Sequence, residues 1–339
     1  MNTIHRLAKP SPKSVIVLRA LQLGDMLCAI PALRALRTAL PDARITLVGL
    51  PWASALVGRY GHYLDDFIEF PGYPGLPERV PQVQRFPAFL NEVQSRHYDL
   101  ALQLHDSGTI TNPLIILFGA HKVAGFCEPG QYCPEEGDFM PYPLSEPEAW
   151  RHLRLMEYLG IPLKGDDPEF PLMPSDWEEF HSIEIQYGLE RGQYAVIHAG
   201  SRQGERRWSI DRFAALADEL AARGLDIVLT GTPEELTLTK ALAVQMERPS
   251  LNLAGRTSLG CLAALLSGSR LLICNDTGVS HLADALNIPS VVLFTAPDVY
   301  RWAPKDKDLH RVLVQAANIF PSAVMQEVDG LLREEHVHV

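Results

Sequence analysis

Cysteine is scarce and unpatterned in this chain. Cys28, Cys127, Cys133, Cys261 and Cys274 form no Cys-x-x-Cys pair and no zinc-ligand spacing. Most lie in apolar runs and read as small core residues in a reducing compartment. Positive charge is in deficit too: 30 Lys and Arg against 41 Asp and Glu give a formal net charge of −11. That balance argues against a general nucleic-acid binder. One stretch is locally basic, with Arg6, Lys9, Lys13, Arg19, Arg34 and Arg37. It reads either as solvated surface charge or as a patch for an anionic substrate or membrane surface. Long apolar runs are missing. Met26 to Leu33 and Leu114 to Ala120 are too short to span a bilayer, and no signal-peptide pattern is visible. A soluble, cytoplasmic protein is expected. Three chemical signatures are also absent: the Gly-x-Gly-x-x-Gly fingerprint, the P-loop and the Gly-x-Ser-x-Gly elbow. Asp65-Asp66 and Asp166-Asp167 lie outside strand-tip contexts, so both read as surface. No metal is expected.

What the chain does have is length and alternation. Its 339 residues, 47% of them hydrophobic, are comfortable for two domains. Short apolar runs at 15–18, 45–48, 67–70, 100–104 and 123–126 read as strands, with helical segments between most of them. The first helix is expected from about Met26 to Leu40, with Pro31 either kinking it or marking its first turn. A second series has strands at 195–197, 227–229, 271–274 and 291–294. Alternating strands and helices imply parallel sheets with covered faces. Residues 127–145 read as a loop, and the Pro- and Asp-rich run 161–175 reads as a linker. The expected division is a first Rossmann-like domain over 1–165, a linker over 166–190, a second over 191–320 and a C-terminal helix over 321–339. Residues 1–13 read as a disordered lead, and the last helix is expected back against the first half. A ligand cleft is expected at the carboxyl ends of the strands.

Leu271 to Leu286 is the most informative stretch. Leu271, Leu272, Ile273 and Cys274 read as a buried central strand, and Val279, Leu282, Ala283 and Leu286 repeat at helical spacing. Between them, Asn275-Asp276-Thr277-Gly278 forms a polar turn. Such a turn places free backbone N–H groups at the positive end of a helix, where α/β proteins hold phosphate. Gly278 lets a ligand approach the backbone closely. His281 lies about 200° round from Val279 and is expected to face away from the apolar stripe. The plainer alternative is that Asp276 or Thr277 only caps the helix.

Other polar groups follow strands. Ser201 comes after 195–197, with Arg206, Arg207 and Trp208 close behind, and Thr230 and Gly231 come after 227–229. The tips of parallel strands face one side, so these groups should converge with Asp276, Thr277 and Gly278. Hydroxyl, guanidinium and helix N-terminal amides together suit a diphosphate. In the first half, Gly24-Asp25 sits at the tip of the first strand. Asp25 reads as a general base or as a helix cap.

Together these residues resemble the heptosyltransferases of bacterial lipopolysaccharide synthesis, glycosyltransferase family 9. The resemblance rests on Leu23-Gly24-Asp25 with Pro31-Ala32-Leu33, Gly119 to Phe126, and His198-Ala199-Gly200-Ser201. It continues through Arg206-Arg207-Trp208, Asp276 to His281 and Trp302-Ala303-Pro304. The resemblance implies a GT-B fold, two Rossmann-like domains whose parallel sheets face a central cleft. It also implies inverting, metal-independent transfer of heptose from ADP-heptose to a lipopolysaccharide-type glycan or glycolipid acceptor. No cofactor is implied beyond the nucleotide-sugar co-substrate. Asp25 matches the catalytic base, Asp276 the acidic contact to the donor sugar, Thr277 and Gly278 the donors to the diphosphate, and Ser201 the hydroxyl beside them. Arg206 stands where the family often has Lys, and His281 matches a position open to ligand contact or helix support. Another nucleotide sugar, or a non-catalytic nucleotide-binding protein, are the alternatives. A monomer is expected, with peripheral contact at the inner membrane as a further expectation.

Overall fold

The computed structural model describes residues 10–295, 298–315 and 318–334. The lead expected over 1–13 therefore falls mostly outside the described residues, as do Arg6 and Lys9. The chain divides between Pro168 and Glu169 into two compact units.

The first unit runs β1 (Ser14–Leu18), α1 (Leu23–Ala39), β2 (Arg44–Gly49), α2 (Ser54–Arg59), β3 (Asp66–Glu69) and α3 (Phe86–Ser95). It continues with β4 (Leu100–Gln103), α4 (Thr111–Ile116), β5 (Lys122–Cys127), β6 (Asp138–Pro141) and α5 (Glu148–Tyr158). The second begins with α6 (Pro174–Tyr187), β7 (Tyr194–His198), α7 (Ile210–Ala222), β8 (Asp226–Leu229), α8 (Leu236–Gln245) and β9 (Leu251–Asn252). It ends with α9 (Leu259–Gly268), β10 (Leu271–Asn275), α10 (Gly278–Ala285), β11 (Ser290–Phe294), α11 (Val299–Trp302), β12 (His310–Val314) and α12 (Pro321–Glu334).

Both sheets are six-stranded, ordered β3-β2-β1-β4-β5-β6 and β12-β11-β10-β7-β8-β9. Every strand pairing is parallel. The central strands are buried along their length, as helices on both faces require. A cluster of apolar residues packs on each sheet. In the first, Ile16, Leu18, Val48 and Ala101 pack with Phe89, Leu114 and Phe118; in the second, Ile197, Ile273 and Leu293 pack with Phe213, Leu216 and Leu220.

Several elements differ from the sequence reading. Helix α1 starts at Leu23, so Pro31 lies in its interior, buried. The stretch read as a loop over 127–145 contains β6, an edge strand paired with β5. The segment read as a linker contains α6, whose Phe180 and Ile183 are buried. Helix α12 is expected against the first half; its Val324, Met325, Val328 and Leu331 lie in the core of the second unit.

Cys127 and Cys133 are not core residues but a disulfide pair, their Cα atoms 5.6 Å apart. Cys261 and Cys274 are free and buried as expected. Burial pushes the Cys261 thiol up to about 12 and Cys274 up as well, so neither forms a thiolate near neutrality.

Among the described residues of the basic stretch, three arginines are committed within the fold. Arg19 is buried, Arg34 donates to the Lys164 and Asp167 carbonyls, and Arg37 donates to the Ala43 and Tyr63 carbonyls and pairs with Asp65. Asp66 pairs with Arg44 and Arg96, which together hold its carboxyl below the usual range despite partial burial. These links bind the edges of β2, β3 and α3.

Candidate active site

In each sheet the strand order reverses direction once, between β1 and β4 in the first and between β7 and β10 in the second. The connections leaving those strands part to opposite faces there. The crevice this opens at the carboxyl ends is where doubly wound sheets bind ligands. Asp25 follows β1 in the first unit, and Ser201, Arg206, Asp276, Thr277 and Gly278 follow β7 and β10 in the second.

In the second unit the organising residue is Asn275, the last of β10, fully buried. Its Oδ1 accepts the Trp208 N–H at 2.9 Å, and its Nδ2 donates to the Ala199 carbonyl at 2.8 Å. One amide therefore spans the β7–β10 crevice and pins the loop that follows β7. Trp208 is buried with its ring edge-on to Phe213 at 5.0 Å. At the other end of the loop, the Arg207 guanidinium donates twice to the Ser201 carbonyl, at 2.9 and 2.6 Å. Arg207 is thus a staple of the loop. The short turn Gly204–Arg206 between these anchors carries Arg206 outward to Asp276, with Nη1 3.0 Å from Oδ2. The pair is lopsided: the Arg206 side chain is 29% exposed and that of Asp276 only 6%.

Asp276 is fixed through its own N–H, which donates to the Leu293 carbonyl at 3.0 Å. Thr277 is the N-cap of α10 with extended backbone, and its carbonyl accepts both the N–H and the hydroxyl of Ser280, at 2.9 and 2.7 Å. Gly278 opens the helix. The first N–H groups of a helix have no acceptor within it, so this turn carries partial positive charge beside the Arg206 guanidinium. Ser201, Arg206, Asp276, Thr277 and Gly278 thus share one strand-tip region.

The remaining candidates have different surroundings. Thr230 is buried with its Oγ1 3.1 Å from His198 Nδ1, so its hydroxyl serves the core. Gly231 accepts the Gly255 N–H at 2.9 Å. His281 is expected to be turned out, but it is only 9% exposed, with Trp302 edge-on at 5.9 Å. The ring contact with Trp302 accompanies that burial.

The sequence reading assigns no role to Asn275, His198 or Glu235. Glu235 Oε2 accepts the Thr232 N–H at 2.9 Å and stands 3.8 Å from His198 Nε2. A Cβ on Gly200 would lie 2.1 Å from Glu235 Oε1, so glycine there makes room for the carboxylate. Burial holds His198 below the usual imidazole range, and the Glu235 charge opposes that only partly.

In the first unit Asp25 is the third residue of α1, and its Oδ2 accepts the Gln22 N–H at 3.3 Å. It thus satisfies the helix start from the third position, reaching back as a capping-box acid does. That role and a chemical one are compatible, since a carboxylate has further lone pairs. Among the described residues, no group of three or more His, Cys, Asp or Glu is placed to hold a metal ion.

Comparison with known proteins gives the family of the chain. The family model for glycosyltransferase family 9 (heptosyltransferase) matches residues 88–330. Lipopolysaccharide heptosyltransferase 3 of Escherichia coli is 25% identical over 290 residues, covering 83% of this chain and 83% of that one. Among solved structures, the family 9 glycosyl transferase of Veillonella parvula covers 98% of this chain and 100% of its own, with a TM-score of 0.83 and 22% identity. E. coli heptosyltransferase WaaC with ADP covers 93% of this chain and 97% of its own, with a TM-score of 0.67 and 19% identity. The fold is GT-B, two Rossmann-like units. The chain belongs to glycosyltransferase family 9, the heptosyltransferases.

Proposed function

We propose that this glycosyltransferase moves a heptose from ADP-heptose to a glycan or glycolipid acceptor of the lipopolysaccharide core, with inversion and without a metal. The observation that carries the reading is the Arg206–Asp276 pair beside the N-terminus of α10. It places a cation, a carboxylate and helix amides together, as a nucleotide sugar requires. The ADP-bound solved relative supports adenine as the base.

In the proposed step the acceptor oxygen attacks the anomeric carbon from the face opposite the diphosphate. The new C–O bond forms as the bond to the β-phosphate oxygen breaks, which inverts the centre. Asp25 takes the hydroxyl proton. Negative charge grows on the departing ADP, where Arg206 and the amides of Thr277 and Gly278 stabilise it, and Ser201 adds a hydroxyl. Asp276 accepts from hydroxyls of the sugar. Fixed protein charge thereby takes the part a divalent cation plays elsewhere. We assign the acceptor to the first unit and the donor to the second.

Among the described residues no helix is long and apolar enough to cross a membrane. The proposal includes a monomer meeting a lipid-linked acceptor at the inner membrane surface.

The test is a titration with ADP, UDP, GDP and CDP, first with EDTA and then with Mg²⁺, followed by turnover of ADP-heptose by wild type and Asp25→Asn. Preference for ADP in EDTA, with turnover that Asp25→Asn abolishes while retaining ADP binding, is expected. Tighter binding of another nucleotide would change the donor. Dependence on Mg²⁺ would overturn the metal-free step.

A further inference from the structure

We infer that Arg19 is the positioning residue of the proposed base Asp25, held in place by the buried carboxylate of Glu148. This rests on the assignment of Asp25 above. Arg19 follows β1 directly, and its side chain is 1% exposed. A cation so buried needs partners for its charge and its five donors.

The side-chain contacts of Arg19 lead to the β1–β4 crevice. Its own N–H donates to the Val48 carbonyl at 3.0 Å, which ties it to the tip of β2. Nε donates to the Asp25 carbonyl at 2.9 Å, and Nη2 donates to the same oxygen. Nη1 donates to the Leu104 carbonyl, just past β4. Glu148 Oε1 stands 3.4 Å from Nη2. One residue, through its backbone and side chain together, thus joins β1, β2, β4 and the first turns of α1 and α5.

The fork sets the direction of Asp25. Two guanidinium N–H groups on one carbonyl fix the rotation of the peptide that leaves Asp25. The Gln22 N–H fixes the carboxylate end through Oδ2. Backbone and side chain are therefore anchored from opposite ends. A second brace lies beside the first, where the Ala20 N–H donates to His105 Nδ1 at 3.0 Å. It holds the start of the same turn against β4.

Glu148 serves as the counterion. It opens α5 and is equally buried, where a helix N-terminus favours its charge. His152 Nε2 at 3.3 Å and Arg151 Nη1 at 3.7 Å also face it. Arg151 is committed elsewhere, to the Tyr142 hydroxyl and to the Leu144 and Glu146 carbonyls. Lysine could supply the charge of Arg19 but not the fork. A displacement of about 1 Å at a reacting group lowers the rate by about 10²-fold, so the anchor acts on turnover ahead of binding.

The experiment compares Arg19→Lys, Arg19→Gly and Asp25→Asn in the full chain, with ADP-heptose as donor. kcat is expressed per ADP-binding site, so loss of folded protein does not count as loss of catalysis. Arg19→Lys is expected to lower kcat about tenfold or more, with the Kd for ADP and the KM for donor within about twofold of wild type. Millimolar guanidinium should restore part of the kcat of Arg19→Gly and none of that of Asp25→Asn. If Arg19→Gly does not fold, Glu148→Gln replaces it and should lower kcat with donor KM unchanged. Wild-type kcat in Arg19→Lys, with Asp25→Asn inactive, overturns the inference alone. Wild-type turnover in Asp25→Asn overturns the base assignment on which it rests.

Discussion

Arg206 reaches across the β7–β10 crevice to Asp276, with Nη1 3.0 Å from Oδ2, from a loop pinned at both ends by Arg207 and Trp208. The cation is part-exposed and its partner is not, so Arg206 can turn toward a diphosphate while Asp276 stays fixed. Arg206→Ala is expected to lower kcat about 10²-fold, the scale of losing one preorganised stabiliser of leaving-group charge. Arg206→Lys should lose less, because the charge is kept. Steady-state kinetics with ADP-heptose decide it. A kcat for Arg206→Ala within about twofold of wild type would remove Arg206 from the chemistry.

Asn275 carries more of the site's architecture than any charged residue. Asn275→Ala leaves the Trp208 N–H and the Ala199 carbonyl buried without partners. The expected cost is about 2–4 kcal/mol, read as a lower midpoint in urea unfolding with an unchanged slope. Asn275→Asp keeps the acceptor for Trp208 but turns a carboxylate toward the Ala199 carbonyl, so it should be no more stable than the alanine variant. An Asn275→Ala midpoint equal to wild type would show that the loop is held by Trp208 packing alone.

The central parallel strands and the α10 turn were legible because their signals are local, whereas the edge strands β6, β9 and β12 were not read. Four apolar residues bounded by polar ones suffice for a buried strand such as β10, and Asn275 to Gly278 read directly as a strand-to-helix turn. Helix α6 was missed because Pro174 and the Pro-rich run before it look like a linker, whereas Pro at a first helical turn is favourable. Strand β6 was missed because its four residues show no alternation and depend on pairing with β5. Arg19 reads as surface charge in sequence, since nothing nearby encodes the distant Leu104 and Glu148 that bury it. Thr230 has the right type at a strand tip, but His198, 32 positions away, takes its hydroxyl.

The His198 imidazole gives the second unit a dependence on pH. Burial lowers its pKa in the folded state, with Glu235 opposing only in part. Its unfolded value is about 6.5. Above that value both states are neutral and the group contributes its full stability. As pH falls through about 6.5 toward the lower folded value, the unfolded chain binds the proton first and stability is lost. Urea midpoints of wild type should therefore drop between pH 7.5 and 5.5 by more than those of His198→Gln. Equal drops would mean that other groups carry the acid sensitivity.

Gly200 and Glu235 should behave as one unit. A methyl group at Gly200 would stand 2.1 Å from Glu235 Oε1, inside any tolerable contact. The carboxylate cannot swing away freely, because Oε2 holds the Thr232 N–H at 2.9 Å and the group is buried. Gly200→Ala is expected to cost about 1–3 kcal/mol as an overpacking change, and to weaken ADP binding because Ser201 follows directly in the chain. Glu235→Ala removes the obstructing atoms at the cost of the Thr232 bond. The double variant should then be more stable than the sum of the single effects predicts, with a coupling of about 1 kcal/mol or more. Urea unfolding of the four proteins measures that coupling. Strict additivity would mean that the added methyl finds space by moving the β7 tip, and Gly200→Ala should then lose ADP binding even with Glu235 removed.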